Sequence, residues 1–399
     1  MKKRILLVWM CILSAGLAAC GDVELSEIVE HLEELPQLQE SLEDAVIEDL
    51  NQFARDEQVE TDIHGYYYET LSEHAKVWYQ DIYEILIYHQ ACVKLNSNYI
   101  LELGPESIDH IFDCVLMDHP EIFYVTVYEY VEYTQGDILV SIEFSGDYDM
   151  NYEQMQQAQT VIGDYVDNCM SQMDLNWTDY EKVKYVYEYL IQHTQYNLDA
   201  QYDQSIYSVC AFGESVCQGY AKMAQYLLNK SGVETTLVQG YAGESKESHV
   251  WNLVLVDGYY YYVDVTWGDS SYYEEDTAVE KLNYDYLCVT TEELCKTHVI
   301  DNIANVPSCD AIYSNYYVME GAYFQVYDEA RIEMLIQSAL ANDQDTVAFK
   351  CCDNQVFREL CDTLFEKSRI FDFLPQGVET VSYLEDENML TLTILLKEE

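Results

Sequence analysis

The chain has 399 residues, 49% of them hydrophobic, and sets 73 acidic side chains against 19 basic ones for a formal net charge of −54. That charge argues against nucleic acid as a partner, because phosphates are repelled. It reads first as keeping a surface protein soluble, and second as favouring cationic peptides or proteins over anionic lipid headgroups. The length allows two or three domains. The 38 tyrosines gather in strand-like runs such as Tyr259-Tyr260-Tyr261-Tyr262, which suit amphipathic strand packing or a face that binds peptide or carbohydrate.

At the N-terminus Lys2, Lys3 and Arg4 precede an apolar run, 5–13, that is too short for an ordinary membrane span. Leu17-Ala18-Ala19-Cys20 then resembles a bacterial lipobox, in which cleavage leaves Cys20 as the lipidated N-terminus. Residues 1–19 are therefore expected to be a lipoprotein signal peptide. Two or more acyl chains on Cys20 give the kind of anchor that stable attachment needs, placing the body outside the cytoplasm on a bacterial cell membrane. Residues 20–60 are acidic, with Leu32, Leu35, Leu38, Leu42, Val46, Leu50 and Phe53 at roughly helical intervals interrupted by Pro36, and read as a helical or partly disordered stalk.

Residues 61–150 are expected to form an α+β accessory domain. Helical patterns run over 71–93 and from Pro105 to Leu116, and Asp118-His119-Pro120-Glu121 makes a turn. Ile138, Val140, Ile142 and Phe144 alternate as a strand facing a core.

Residues 151–300 hold the chemistry. Thr178 and Glu181 form a capping box ahead of an apolar stripe of Val183, Val186, Tyr187, Leu190 and Ile191. Ser215 and Gln218 have the same spacing and predict a helix opening at Val216, with Tyr220, Met223, Ala224, Leu227 and Leu228 as its buried face and Gly232 as its stop. Cys217 falls in the first turn, where unpaired N–H groups and the macrodipole favour a thiolate. The plain alternative is a cysteine packed as a small hydrophobe.

Residues 249–256 read as a strand, Asp257-Gly258 as a hairpin turn and 259–265 as the returning strand. A two-residue loop sets Val256 opposite Tyr259 and Trp251 opposite Asp264, so His249 is diagonal to Asp264 on one face, ~7–8 Å away at the backbone. A helix-start cysteine near such a pair predicts a Cys-His-Asp nucleophilic site. The polar stretches 242–248 and 268–277 are expected to be its rims.

Three stretches, Ser215-Val216-Cys217-Gln218-Gly219-Tyr220-Ala221, His249-Val250-Trp251-Asn252-Leu253-Val254 and Val263-Asp264-Val265-Thr266-Trp267-Gly268-Asp269, resemble the core motifs of the transglutaminase-like superfamily, in its bacterial surface-protein form. Asn283 to Val289 with Thr291 to His298 is similar to the segment that closes the core in those relatives, so the likeness covers about 178–300. It implies a papain-like core with Cys217 as nucleophile, His249 as general base and then acid, and Asp264 as the orienting acid. Relatives include transglutaminases, peptidases, deamidases and inactive modules. Trp267 is expected to line an acyl groove, and no cofactor is called for.

Residues 301–399 read as a small α+β domain. Ile332, Leu335, Ile336, Ala339 and Leu340 mark a helix, 346–350 a strand, 356–365 a helix, and 378–383 with 389–396 an antiparallel pair. The thirteen cysteines include no C-x-x-C, and Cys351-Cys352 and the histidines lack metal-site spacing, so free thiols and no structural metal are expected.

The sequence thus predicts an α+β protein with a transglutaminase-like core between two accessory regions. It reads as a lipid-anchored cysteine enzyme acting on amide bonds of a peptide or protein substrate, cell-wall peptide included, with hydrolysis favoured. A protein-glutamine transglutaminase that cross-links surface proteins, and a non-catalytic binding or scaffold module, are the other readings.

Overall fold

The computed structural model describes residues 4–6, 65–174, 176–269, 282–301 and 306–396. The cleavage site, Cys20, the stalk and most of the 268–277 rim lie outside the described residues. Within them no helix is long and apolar enough to cross a membrane, and all eleven cysteines are free thiols.

The N-terminal sheet takes in β1 (Arg4–Leu6) and is otherwise built after the first helices, α1 (Tyr66–Thr70) and α2 (Glu73–Ile87). The pattern over 71–93 thus forms two helices and not one, because Leu71 is extended and the Ser72 side chain caps α2 through the Ala75 N–H. One face of α2 buries Trp78, Tyr79, Ile82, Ile85 and Leu86. Then follow β2 (Val93–Lys94), α3 (Ile100–Leu103), α4 (Ser107–Asp118) and the long hairpin β3 (Val125–Gln135) and β4 (Ile138–Tyr148), in sheet order β1-β3-β4-β2. Only half of the expected inward stripe of β4 is covered. Ile142 and Phe144 are fully buried, whereas Ile138 is 61% exposed, because the hairpin tip runs beyond its covering layer.

A 19-residue helix, α5 (Tyr152–Met170), opens the central region ahead of the first helix expected there. Its signal was present: Asn151 and Gln154 form a capping box, and Met155, Ala158, Ile162, Val166 and Cys169 recur at helical intervals. Next comes α6 (Asp179–His193), with the Thr178–Glu181 box and the apolar stripe in place. The segment β5 (Gln195–Tyr196), α7 (Ile206–Phe212) and β6 (Glu214–Ser215) leads into α8 (Cys217–Lys230).

Behind α8 stands a five-stranded antiparallel sheet. Its strands are β7 (Thr235–Ala242), β8 (Glu247–Val256), β9 (Tyr259–Val263), β10 (Leu287–Val289) and β11 (His298–Ile300), in the order β10-β9-β8-β7-β11. The buried face of α8, Tyr220, Met223, Ala224, Leu227 and Leu228, packs against it. Within 242–248 only a four-residue turn, 243–246, separates the end of β7 from the start of β8, in place of the expected loop.

The C-terminal region forms a sheet of β12 (Tyr323–Phe324), β13 (Thr346–Cys351), β14 (Ser382–Asp386) and β15 (Thr391–Leu395), ordered β12-β13-β15-β14, with helices α9 (Glu329–Ala341) and α10 (Asn354–Cys361). The final antiparallel pair starts at Ser382, later than the expected 378. Buried Lys350 ties this sheet to the centre: its Nζ donates to Asp285 Oδ1 at 3.4 Å and to the Met389 carbonyl at 3.1 Å. The fold is α+β throughout.

Candidate active site

Cys217 is the first residue of α8, one position earlier in the helix than the capping-box reading implied. Val216 is the N-cap and no side chain caps the helix. Ser215 turns away instead, donating from Oγ to the Asp203 carbonyl at 2.6 Å and pairing with Ser208 Oγ at 2.6 Å. A Cβ on Gly219 would fall 1.9 Å from Ser215 Oγ, so glycine there lets the helix start close against this hydroxyl. The opening N–H groups of α8 are left without a side-chain acceptor, beside a partly exposed thiol.

The hairpin delivers the base as its parity predicts. Val256 pairs with Tyr259 and Asn252 with Val263, and Asp257 and Gly258 take positive φ of 50° and 83°. His249 Nε2 donates to Asp264 Oδ2 at 2.6 Å, with both residues buried. Strand β9 ends at Val263, sooner than the expected 265, because Asp264 caps a one-turn helix, Val265–Gly268, by accepting the Trp267 N–H on Oδ1 at 3.1 Å. Its two oxygens therefore have separate duties: Oδ1 fixes the carboxylate to the backbone and Oδ2 faces the imidazole.

A second histidine shares Oδ2. His298 Nε2 donates to it at 3.0 Å from β11, and the Thr297 hydroxyl meets His298 Nδ1 at 2.8 Å. The resemblance placed His298 only in a closing segment; no spacing rule linked it to Asp264. Its partner strand is β7, where His298 pairs with Ala242, so it enters from the far side of the sheet from β9.

Burial works against a charged His249, but the Asp264 carboxylate, aided by a hydrogen bond to the Cys217 side chain, lifts the imidazole to about 10. Burial likewise works against an ionised Asp264, and His249 and then His298 hold its carboxyl well below the usual carboxylate range. With Nε2 committed to Asp264, Nδ1 is the nitrogen that serves Cys217.

Aromatic rings enclose the pair. Trp251 is fully buried and stacks near His249 at 5.9 Å between ring centres. Trp267, expected along an acyl groove, is only 8% exposed and packs on His298 at 4.6 Å and Tyr286 at 5.3 Å. It forms one wall of the histidine pocket. His249, Asp264 and His298 also offer ligand atoms within 4.8 Å of one another, the one such group among the described residues. Two imidazoles and a carboxylate suit zinc in kind, but here the facing atoms are joined by hydrogen bonds of 2.6 and 3.0 Å.

Comparison with known proteins gives a concordant placement. Residues 170–265 match the family model described as the transglutaminase-like superfamily. Kyphoscoliosis peptidase of Mus musculus is 26% identical over 124 residues, and that of Homo sapiens 27% over the same length, in each case 27% of this chain and 18% of the relative. The chain thus spans under a fifth of these curated relatives. A solved TGase structure covers 39% of this chain and 53% of its own, at 12% identity and a TM-score of 0.26. The matched segment holds Cys217, His249 and Asp264 but stops short of His298, and through it the chain carries a core of the transglutaminase-like superfamily.

Proposed function

We propose that this chain is an extracytoplasmic cysteine enzyme that acts on amide bonds of peptides or proteins through a thioester. The observation that carries the reading is His249 held between the Cys217 thiol and an ionised, fully buried Asp264. His249 is charged at neutral pH and already holds the proton of Cys217, whose Sγ attacks the amide carbonyl. The backbone N–H of Cys217, at an uncapped helix start, stabilises the oxyanion. His249 then gives that proton to the leaving amine or ammonia, and the carbon–nitrogen bond breaks to leave the thioester. Water, activated by His249, resolves it to a free acid.

Hydrolysis is favoured over transfer because a transferase must shield its thioester and position an amine. The kinship with proteins named peptidases points the same way. The strongly acidic composition favours the second reading, transglutamination, since it would gather lysine-rich acceptors. The complete set of three residues counts against an inactive scaffold. A glutamine-containing peptide supplied with a labelled primary amine at millimolar concentration is expected to yield mostly free acid. Dominant amine incorporation, abolished in Cys217→Ala, would establish the transferase instead.

The same proposal sets the body outside the membrane on a lipidated Cys20, on the strength of Lys2, Lys3, Arg4, the short apolar run and Leu17-Ala18-Ala19-Cys20. Cys20→Ser is expected to move the protein from the membrane fraction to the soluble one or to stall its processing. An unlipidated mature N-terminus elsewhere, found by mass spectrometry, would refute the anchor.

A further inference from the structure

Lys222 is the anomaly of α8. It is 94% buried by its 6% residual exposure, yet among the described residues it has neither a hydrogen bond nor an ion pair. Burial pulls its ammonium down to about 8, and no carboxylate offsets that pull. A lone buried cation is costly, and such groups mark sites that bind something of opposite charge.

Its surroundings are those of a binding cleft. Lys222 lines a cavity of about 560 Å³ between the N-terminal region and α8, together with Gln218, Gln239 and Thr126, over an apolar floor of Met117 and Phe123. Three carboxylates also line it. Asp149 is exposed and accepts from the Thr126 hydroxyl at 3.3 Å, and Asp113 and Asp203 are half-buried. None of them forms an ion pair with Lys222.

The cavity reaches the residue that follows the nucleophile. Gln218 follows Cys217 directly, and helical side chains lean toward the N-terminus, so Lys222 reaches back over the turn that carries Gln218. Between Cys217 and Lys222 the helix rises about 7.5 Å and turns about 140°, so the two side chains stand on different faces of α8 and a bound peptide spans them across the helix start.

We propose that Lys222 is a specificity residue that binds a substrate carboxylate within a few residues of the amide attacked by Cys217. This rests on the amide-cleaving reading above. The carboxylate enters the cavity with Lys222 beneath it and Gln218 and Gln239 as neutral hydrogen-bonding partners. Asp113, Asp149 and Asp203 then face amide or ammonium N–H donors on the same peptide. They also disfavour ligands that carry several negative charges.

The test uses peptidyl chloromethyl ketones that alkylate Cys217 and carry either glutamate or glutamine one, two or three residues from the warhead. The glutamate probe is expected to react at least about tenfold faster at one position, a difference of 1.4 kcal/mol or more. Lys222→Met is expected to erase that preference and Lys222→Arg to keep part of it. Equal rates for both probes at all three positions, or a preference that survives in Lys222→Met, would overturn the proposal.

Because Lys222→Met removes an uncompensated buried charge, its melting temperature at pH 7 should rise; a fall would mark Lys222 as structural and overturn the assignment. Iodoacetamide, which has no carboxylate, reports separately on the nucleophile, and indiscriminate labelling there counts against the amide chemistry alone. The subsite is decided independently of that chemistry by NMR titration of the Lys222 ε-methylene. A capped Gly-Glu-Gly peptide should raise its midpoint by about one unit. An unmoved midpoint, or one moved by inorganic phosphate and not by the peptide, would reject a carboxylate site.

Discussion

Asp264→Asn is expected to lower turnover by about 10⁴-fold with the fold retained. The asparagine Oδ1 can still accept the Trp267 N–H, so the one-turn helix after β9 keeps its cap. At the other end an NH2 replaces the oxygen that now accepts from His249 and His298. An amide donor cannot face two ring N–H donors, so His249 gives up its Nε2 proton and is left neutral with its proton on Nδ1. That nitrogen then no longer accepts from Cys217, and the imidazole is in the wrong tautomer for its task. Far-UV circular dichroism should match the unaltered protein, while turnover and the rate of Cys217 alkylation at neutral pH both collapse. An alkylation rate within a factor of two of the unaltered protein would show that the thiol is activated without this carboxylate.

The same pair fixes how stability depends on pH. Asp264 is depressed from 3.8, so its contribution is present above the ordinary carboxylate range and is lost only as pH falls through its lower folded value. His249 is raised from 6.5 to about 10, so its contribution is complete below about 6.5 and disappears as pH rises toward 10. In Asp264→Asn the alkaline decline in urea midpoint should flatten.

His298→Leu is expected to cost 10- to 100-fold in kcat, the usual range for an outer partner that orients a ligand or base. His298 touches no substrate position; it acts through Asp264, withdrawing part of the carboxylate charge and holding the oxygen in place. Without that donor, more negative charge remains for His249. The alkaline limb of the kcat profile should therefore move to higher pH, whereas a merely structural role would lower kcat without moving it. Replacement of Thr297 by valine, which removes the hydroxyl on His298 Nδ1, should give a smaller effect in the same direction.

The sequence by itself determined the local geometry of this protein. Asp257-Gly258 permits a two-residue turn of positive φ, and strand parity then leaves His249 diagonal to Asp264, because side chains alternate with a fixed period of two. The apolar spacing along α8 placed Cys217 at a helix start for a similar reason: the helical period is set by the backbone and is readable wherever the buried face is apolar. What only the tertiary structure decided involves groups brought together across elements. Ser215 abandons a cap that its spacing favoured because the Asp203 carbonyl lies 2.6 Å away. His298 reaches Asp264 by an edge strand paired to β7, a neighbour that no hairpin rule supplies. The polar side of α8 should face water by its periodicity, yet Lys222 is buried and Gln225 donates to the Met117 carbonyl at 2.8 Å. Helical periodicity identifies which residues share a face, but whether a polar face meets solvent depends on what packs against it, and here that is α4 of the N-terminal region.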